Sequence, residues 1–357
     1  MKQNTKAVKR TQAVTETTHC PLCNGPLAVR FEMGRIWYLP EENRPFHILW
    51  CEACQYGTYT PRPTLEDLKP LYAAYFSREA PDQAHPHNST VGSSPANPPA
   101  LPILDRIRAR LAWQFDAGKY VNAQLVHSWV GPAPKQICDL GAGPGRLLRA
   151  LKDLGHHVAG VEPDPTACRA ARAKDVDIHQ GSVDDLPAAV RDQQYDAVTL
   201  VHVLEHCLDP VSAVSAAASL LRPGGYLFIE VPNNASLAAQ RAGPTWFHAD
   251  LGRHLNFFTP KSLAALIRSF DSDLELLRTG YAGYCLQFQN ERIASEQQIW
   301  DRFVQLGESA ALQGSTRTTK PQRWRQLLTT AIGDGEKKYE AVSVIAKKKN
   351  GAIAPDA

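Results

Sequence analysis

From residue 135 onward the chain alternates short apolar runs with amphipathic ones, and the first junction between them is a turn with three glycines. "KQICDL", "HVAGVEP", "VDIHQG", "YDAVTLVHVL" and "GGYLFIEVP" read as five buried strands. "GRLLRALKDLG", "DPTACRAARAK" and "DPVSAVSAAASLL" space their apolar residues by three and four, as helices do. Strands that alternate with helices pair in parallel through crossovers, so this region is an α/β, doubly wound sheet. "SLAALIRSF" predicts a further helix, "LELLRTGYA" and "YEAVSVIAKK" two final strands, and 287–336 a helical insertion between them. The amphipathic stretch 101–134 predicts leading helices, and the sheet domain spans 135–350.

The glycine turn, "CDLGAGPGRLLRAL", closes the first strand and opens the first helix. The helix N-terminus therefore aims its unpaired N–H groups into the crevice beyond the strand carboxyl ends, where ligands of open sheets bind. A dinucleotide turn has the spacing GxGxxG. Here Gly141, Gly143 and Gly145 give GxGxG, and Asp139 stands two residues before. A carboxylate fits poorly beside a pyrophosphate and well beside an ammonium group. The second strand ends in Glu162, whose carboxylate can accept from both hydroxyls of a ribose. A ribose without phosphate, joined to a cationic amino acid, describes S-adenosylmethionine.

"DLGAGPGRLL", "VAGVEPDP", "GSVDDLP", "YDAVTLVHVLEHCLDP" and "LLRPGGYLFIEVPN" follow one another over about 135–233. Together they resemble the class I S-adenosylmethionine-dependent methyltransferases, and the resemblance implies their Rossmann-like sheet. It also implies that Asp139, Gly141 and Gly143 line the methionine moiety and that Glu162 holds the ribose. Ala142, Gly145, Pro163, Ser182, Val183, Asp184 and His202 complete the implied cofactor surface. Ser182 stands where the family often has Asp, which leaves the adenine to the Val183 backbone or to Asp184. Asp164 reads first as the N-cap of the next helix.

Two CxxC pairs, Cys20 with Cys23 and Cys51 with Cys54, have the spacing of a tetrahedral thiolate site for structural zinc. His19 and His47 are rival ligands, but four thiolates already close such a site. Residues 19–76 are thus a small zinc-ribbon-like module whose core needs the metal as a staple. Residues 1–18 are expected to be disordered. The Pro- and Ser-rich stretch 77–100 reads as a flexible linker that decouples the module from the sheet domain. The text "CEACQYGTYTPRPTLEDLKPLYAAYF" resembles the N-terminal module of bacterial methyltransferases acting on nucleotide-linked sugars, glycans and secondary metabolites. That resemblance implies a zinc segment that shapes the substrate cavity, with Tyr72, Tyr75 and Phe76 on a helix either bordering the site or simply packed.

Methyl transfer needs alignment of acceptor, carbon and sulfur, and a base if the acceptor carries a proton. "HVLEHCLDP" supplies His202, Glu205 and His206 after the fourth strand. "LEH" also occurs in quinone O-methyltransferases, where acids and a His hold a divalent ion; here His202 replaces one acid. His206 is then either catalytic or a wall beside the cofactor. "WFHADLGRHLNFFTPKSL" resembles the "EHFFLFS" segment of sugar C-methyltransferases, with His254 at their His and Arg253 in place of their Glu. Loss of that Glu points away from carbanion chemistry and toward O- or N-methylation with His254 as general base. Arg253 is either solvated or meets an anionic substrate group, and Tyr281 and Tyr284 are further candidates for the pocket wall.

The expected function is S-adenosylmethionine-dependent methylation of a small molecule, nucleotide-linked sugar or glycan. The alternatives are sugar C-methylation, nucleic-acid methylation with the zinc module as grip, and a cofactor-binding protein without turnover. A net charge of +3, no basic aromatic-interleaved stretch in 19–76 and no Asn/Asp-Pro-Pro-Tyr motif speak against nucleic acid. No apolar run approaches the ~20 residues of a membrane span. Lys2, Lys6, Lys9 and Arg10 precede no apolar signal core. Eight cysteines, four of them in CxxC pairs, suit metal ligation in a reducing, cytoplasmic setting.

Overall fold

A computed structural model describes residues 18–33, 46–64 and 102–350. Its strands are β1 (Ala28–Met33), β2 (Phe46–Cys51), β3 (Tyr56–Thr60), β4 (Gln136–Leu140), β5 (His157–Glu162) and β6 (Ile178–Gln180). They continue with β7 (Tyr195–Val201), β8 (Leu221–Pro232), β9 (Asn256–Phe257), β10 (Leu274–Ala282) and β11 (Ala341–Lys348). Seven form one sheet in the order β10-β11-β8-β7-β4-β5-β6. β11 runs antiparallel to both neighbours, while β8, β7, β4, β5 and β6 pair in parallel. β4 is central: the chain steps outward through β5 and β6, then returns to β7 on the other side. The crevice above β4 and β7 is thus the switch point of the sheet.

Helices 146–153, 165–172 and 210–219 cover the sheet through Leu148, Leu151, Ala171, Val214 and Ala217, all fully buried. Such covering on both faces is why β4 and β8 read as apolar runs and not as alternating patterns. Asp164 caps helix 165–172 by accepting from the Thr166 and Ala167 N–H groups, as expected. Helices 103–114 and 123–130 precede β4, and helices 290–305, 320–330 and 335–338 lie between β10 and β11. β8 begins at Leu221, several residues before the apolar run that announces it.

The second sheet has the order β1-β2-β3-β9, and here the structure corrects an expectation. The cysteine unit is not decoupled from the large domain. Its strand β3 pairs with β9, Gly57 opposite Phe257 and Thr58 opposite Asn256. Cys20, Cys51, Cys54 and Tyr56 share one apolar cluster with Leu204, Cys207, Phe258 and Leu263 of the large domain. The physical reason is the edge of β3: its unpaired N–H and C=O groups need a partner, and β9 supplies one. Thr18, taken with the disordered start, accepts a backbone hydrogen bond from Leu27. Residues 1–17, the segment with Tyr72, Tyr75 and Phe76, and the linker 77–100 lie outside the described residues.

Candidate active site

The turn after β4 holds Gly141, Gly143 and Gly145 at φ of 75°, 51° and 72°, a region that side chains rarely adopt. A Cβ on Gly141 would lie 2.4 Å from Val203 Cγ2, whereas one on Gly143 would meet nothing within 4 Å. The Gly143 backbone therefore borders open space. Its N–H donates to Glu162 Oε2 at 2.8 Å, and the Asp164 N–H donates to Glu162 Oε1 at 2.9 Å. Glu162 is thus locked in place at the end of β5, with lone pairs left on both oxygens. Burial raises its pKa against these two hydrogen bonds.

Asp139 is buried at the end of β4, and Thr199 Oγ1 donates to its Oδ1 at 2.5 Å. Burial pushes its pKa up to about 7, with Glu162 adding to the rise and Thr199 opposing it. Ser182, Val183 and Asp184 form the turn after β6, where Ser182 Oγ accepts from the Asp185 N–H. Val183 is buried and Asp184 exposed. His202 follows β7 with φ of 56°. Its Nδ1 lies 3.1 Å from Glu205 Oε1 and its Nε2 3.5 Å from Glu230 Oε1. Burial opposes its charge, but hydrogen bonds to the two carboxylates outweigh this and raise its pKa to about 10. His202 is an imidazolium clamped between two acids. Asp139, the glycine turn, Glu162, Pro163, the 182–184 turn and His202 thus lie along the carboxyl edge of four neighbouring strands.

Beside this edge, His206 and His254 meet edge to face with ring centroids 4.7 Å apart. Each ring is fixed through Nδ1: His206 to the Arg253 carbonyl at 3.0 Å, His254 to the His248 carbonyl at 2.8 Å. These contacts set the tautomer with the proton on Nδ1, and place the lone pair on Nε2. Burial lowers both to about 4, His254 depressing His206 further and Arg253 depressing His254 against Asp250. Both are neutral at pH 7. Two nitrogens of Arg253 bond the Asp250 carboxylate, three residues back in the same turn, so the guanidinium already has an acidic partner within the loop. Tyr284 is not a wall residue; it is fully buried and donates to the Leu327 carbonyl.

Glu205, His206 and His254 bring one ligand atom each within 4.8 Å of one another, a group that could hold a metal ion. Glu205 Oε2 is buried without a hydrogen-bond partner. Four more ligand atoms converge in the cysteine unit, again within 4.8 Å, and neither His19 nor His47 belongs to that group. Cys20 and Cys54 sulfurs are 3.4 Å apart, as are those of Cys23 and Cys51. Each CxxC knuckle, Cys20 with Cys23 and Cys51 with Cys54, is followed by a residue in the left-handed region, Asn24 at φ 55° and Gln55 at φ 58°. A hydrogen bond with Cys54 lowers the Cys20 pKa, the direction that favours a metal-ligating thiolate. The donor set and its spacing fit a tetrahedral metal.

Several site residues escape sequence reasoning. Thr199 and Glu230 are single polar residues inside apolar strands. His248 and Arg292 meet at the back of the His254 loop; Arg292, on helix 290–305, also lies 3.4 Å from Glu340 and stacks on Phe247. A polar residue inside an apolar strand is the one signal available for Thr199 and Glu230, and it names no partner; the polar sequence around Arg292 gives none.

A parallel sheet with an extra antiparallel strand inserted next to its last parallel one, and an acid ending each of its first two strands, defines a class I methyltransferase scaffold. A family model described as a methyltransferase domain matches residues 113–276. Ubiquinone biosynthesis O-methyltransferase of Xanthomonas axonopodis pv. citri is 35% identical over 169 residues, 44% of this chain and 68% of that protein. Its namesake in Xanthomonas oryzae pv. oryzae is 33% identical over 168 residues, again 44% and 68%. Among solved structures, a SAM-dependent methyltransferase of Thermotoga maritima superposes with a TM-score of 0.40 at 19% identity, covering 68% of this chain and 92% of that one. The chain belongs to the S-adenosylmethionine-dependent methyltransferases. No helix among the described residues is long and apolar enough to cross a membrane.

Proposed function

We propose that this enzyme methylates an oxygen or nitrogen of a small molecule, a nucleotide-linked sugar or a glycan, with His254 as general base. The observation that carries the reading is the neutral His254 imidazole, its Nδ1 tied to the His248 carbonyl at 2.8 Å and its Nε2 3.6 Å from Asp250 Oδ2, which leaves that nitrogen able to take a proton and the carboxylate placed to stabilise the resulting charge. The cofactor lies over the glycine turn, with Asp139 near the methionine ammonium group, Glu162 on the ribose hydroxyls and the 182–184 turn at the adenine. Gly141, Ala142, Gly143, Gly145, Pro163 and His202 border it. His206 braces His254 and faces the same space. The acceptor enters between β1–β3 and the loop 246–258, which the pairing of β3 with β9 holds side by side. The four cysteines hold a structural zinc, which supplies no open coordination position. The relatives named for ubiquinone biosynthesis support oxygen as the acceptor atom. Turnover assays over quinols, nucleotide sugars and acidic aromatic alcohols, with mass analysis of the product, test the reading; a carbon-methylated product refutes it.

A second reading rests on the unpartnered Glu205 Oε2. With His206 and His254 it could hold a divalent cation, which when bound would polarise the acceptor oxygen. The two readings part on chelation, which removes a divalent cation and leaves a free histidine base unaffected.

A further inference from the structure

Asn256 is almost completely buried at the joint of the two sheets. Its side chain faces two ways. The Oδ1 atom accepts from the Tyr56 hydroxyl, and Arg62 Nη2 lies 3.4 Å from it. The Nδ2 atom donates to the carbonyls of Cys207 at 2.7 Å and Leu204 at 3.0 Å, with the Glu205 carbonyl at 3.5 Å. Tyr56 is the second residue after Cys54 in the knuckle. Residues 204–207 carry Glu205 and His206. One side chain therefore links the cysteine knuckle to the loop beside the cofactor.

Three further contacts run along the same joint. The Leu255 N–H donates to the Glu205 carbonyl at 2.7 Å, Thr259 Oγ1 donates to the Gln55 carbonyl at 3.0 Å, and Arg62 Nη2 donates to the Leu208 carbonyl at 2.5 Å. Gln55 closes the second knuckle, and Thr259 caps helix 260–268. Tyr56, Asn256 and Thr259 are almost completely buried, so water does not readily replace a partner lost at any of them, and a change on one side is absorbed on the other.

We propose that Asn256 is a positioning residue that transmits the state of the four-cysteine knuckle to loop 204–207. A metal-filled knuckle holds Tyr56 in register, Tyr56 holds Asn256, and Asn256 holds the carbonyls that set the direction of Glu205 and His206. The proposal deepens the reading of that loop as part of the active site, and rests on it for its functional meaning alone.

The test uses the full chain and two readouts that need no acceptor: amide exchange of His206 and Cys207, and the ring nitrogen signals of His206 at fixed pH. Asn256→Ala and Tyr56→Phe are each expected to speed exchange of these amides roughly five- to tenfold, the scale of one lost hydrogen bond. The His206 signals shift, while affinity for S-adenosylhomocysteine stays within about twofold. Stripping the knuckle metal from the wild type should produce the same acceleration, and stripping it from Asn256→Ala should add little, since both cut one path. Unchanged exchange after stripping, or effects that simply add, overturns the proposal. If Asn256→Ala does not fold, Tyr56→Phe decides, because it removes one hydroxyl. Full turnover in His254→Ala would sink the catalytic reading and leave this exchange result standing.

Discussion

The rings of His206 and His254 stand at 77° to one another with centroids 4.7 Å apart, each anchored through Nδ1 to a carbonyl of the loop 246–254. Two neutral imidazoles so close, His254 buried and His206 half-buried, disfavour a charge on either. That relationship sets what the pair can do and at which pH.

His254→Ala is expected to lower turnover by about 10²–10⁴, the usual contribution of a positioned base, with cofactor affinity nearly unchanged. Because the His254 pKa is lowered to about 4, the base stays competent far into acid. Turnover should be flat from about pH 8 to pH 5, where an ordinary histidine base would already have lost most of its activity. An acid limb centred near pH 6.5 would assign the base to another group.

The same pair makes folding pH-dependent. In the unfolded chain both rings take up protons below about pH 6.5. In the folded chain they do so only near pH 4, so between these values the unfolded state binds more protons. Stability therefore falls as pH falls through that window. The melting temperature of the wild type should drop between pH 6.5 and 4.5, and that of the double variant His206→Gln, His254→Gln should drop less. Parallel curves for the two proteins would show that other groups carry the acid sensitivity.

Cofactor binding should release a proton. Burial holds Asp139 at about 7, so near neutral pH half of this carboxyl is protonated before the methionine ammonium arrives. The ammonium favours the carboxylate, and affinity for S-adenosylmethionine should rise with pH through about 7. Calorimetry at pH 6.5 in buffers of different ionisation enthalpy measures the released proton directly. Glu162→Ala should cost about 1.5–3 kcal/mol of cofactor affinity. Affinity equal to wild type in that variant would remove Glu162 from the ribose.

The glycine turn and Glu162 are legible in the sequence because their geometry is local: a strand, a left-handed turn and a helix occupy consecutive residues. The joint between the sheets is not legible. Tyr56 and Asn256 are 200 residues apart, and β9, with two residues, carries no periodicity to announce a strand. Arg253 reads as either solvated or awaiting an anionic group, because its partner Asp250 stands on a loop whose fold the sequence leaves open. His202 reads as a residue of the cofactor surface standing where quinone O-methyltransferases have an acid; in space it is a cation between Glu205 and Glu230.

Glu205, His206 and His254 allow the two catalytic readings to be separated. If a divalent ion sits there, chelation should abolish turnover, and a divalent metal added back should restore it without changing the zinc content of the knuckle. Glu205→Gln should then weaken the metal response strongly, since it replaces a charged ligand by a neutral one. If His254 acts as free base, turnover survives a chelator too weak to strip four thiolates. Elemental analysis beside the kinetics tells which ion leaves.

The cysteine unit should melt with the sheet domain, not before it. Cys20, Cys51 and Cys54 lie in the same apolar cluster as Leu204, Cys207 and Leu263, and β3 completes its sheet with β9. Unfolding the unit exposes that cluster, strips β9 of its partner and leaves the Asn256 amide without Tyr56. Purified protein should hold close to one zinc per chain. Cys51→Ser with Cys54→Ser should lose it and lower the single melting transition by roughly 5–10 °C, since metal-binding energy is folding energy here. Calorimetry checks this. Two separate transitions, with the upper one unmoved by loss of the metal, would mean that the joint is too weak to couple the sheets.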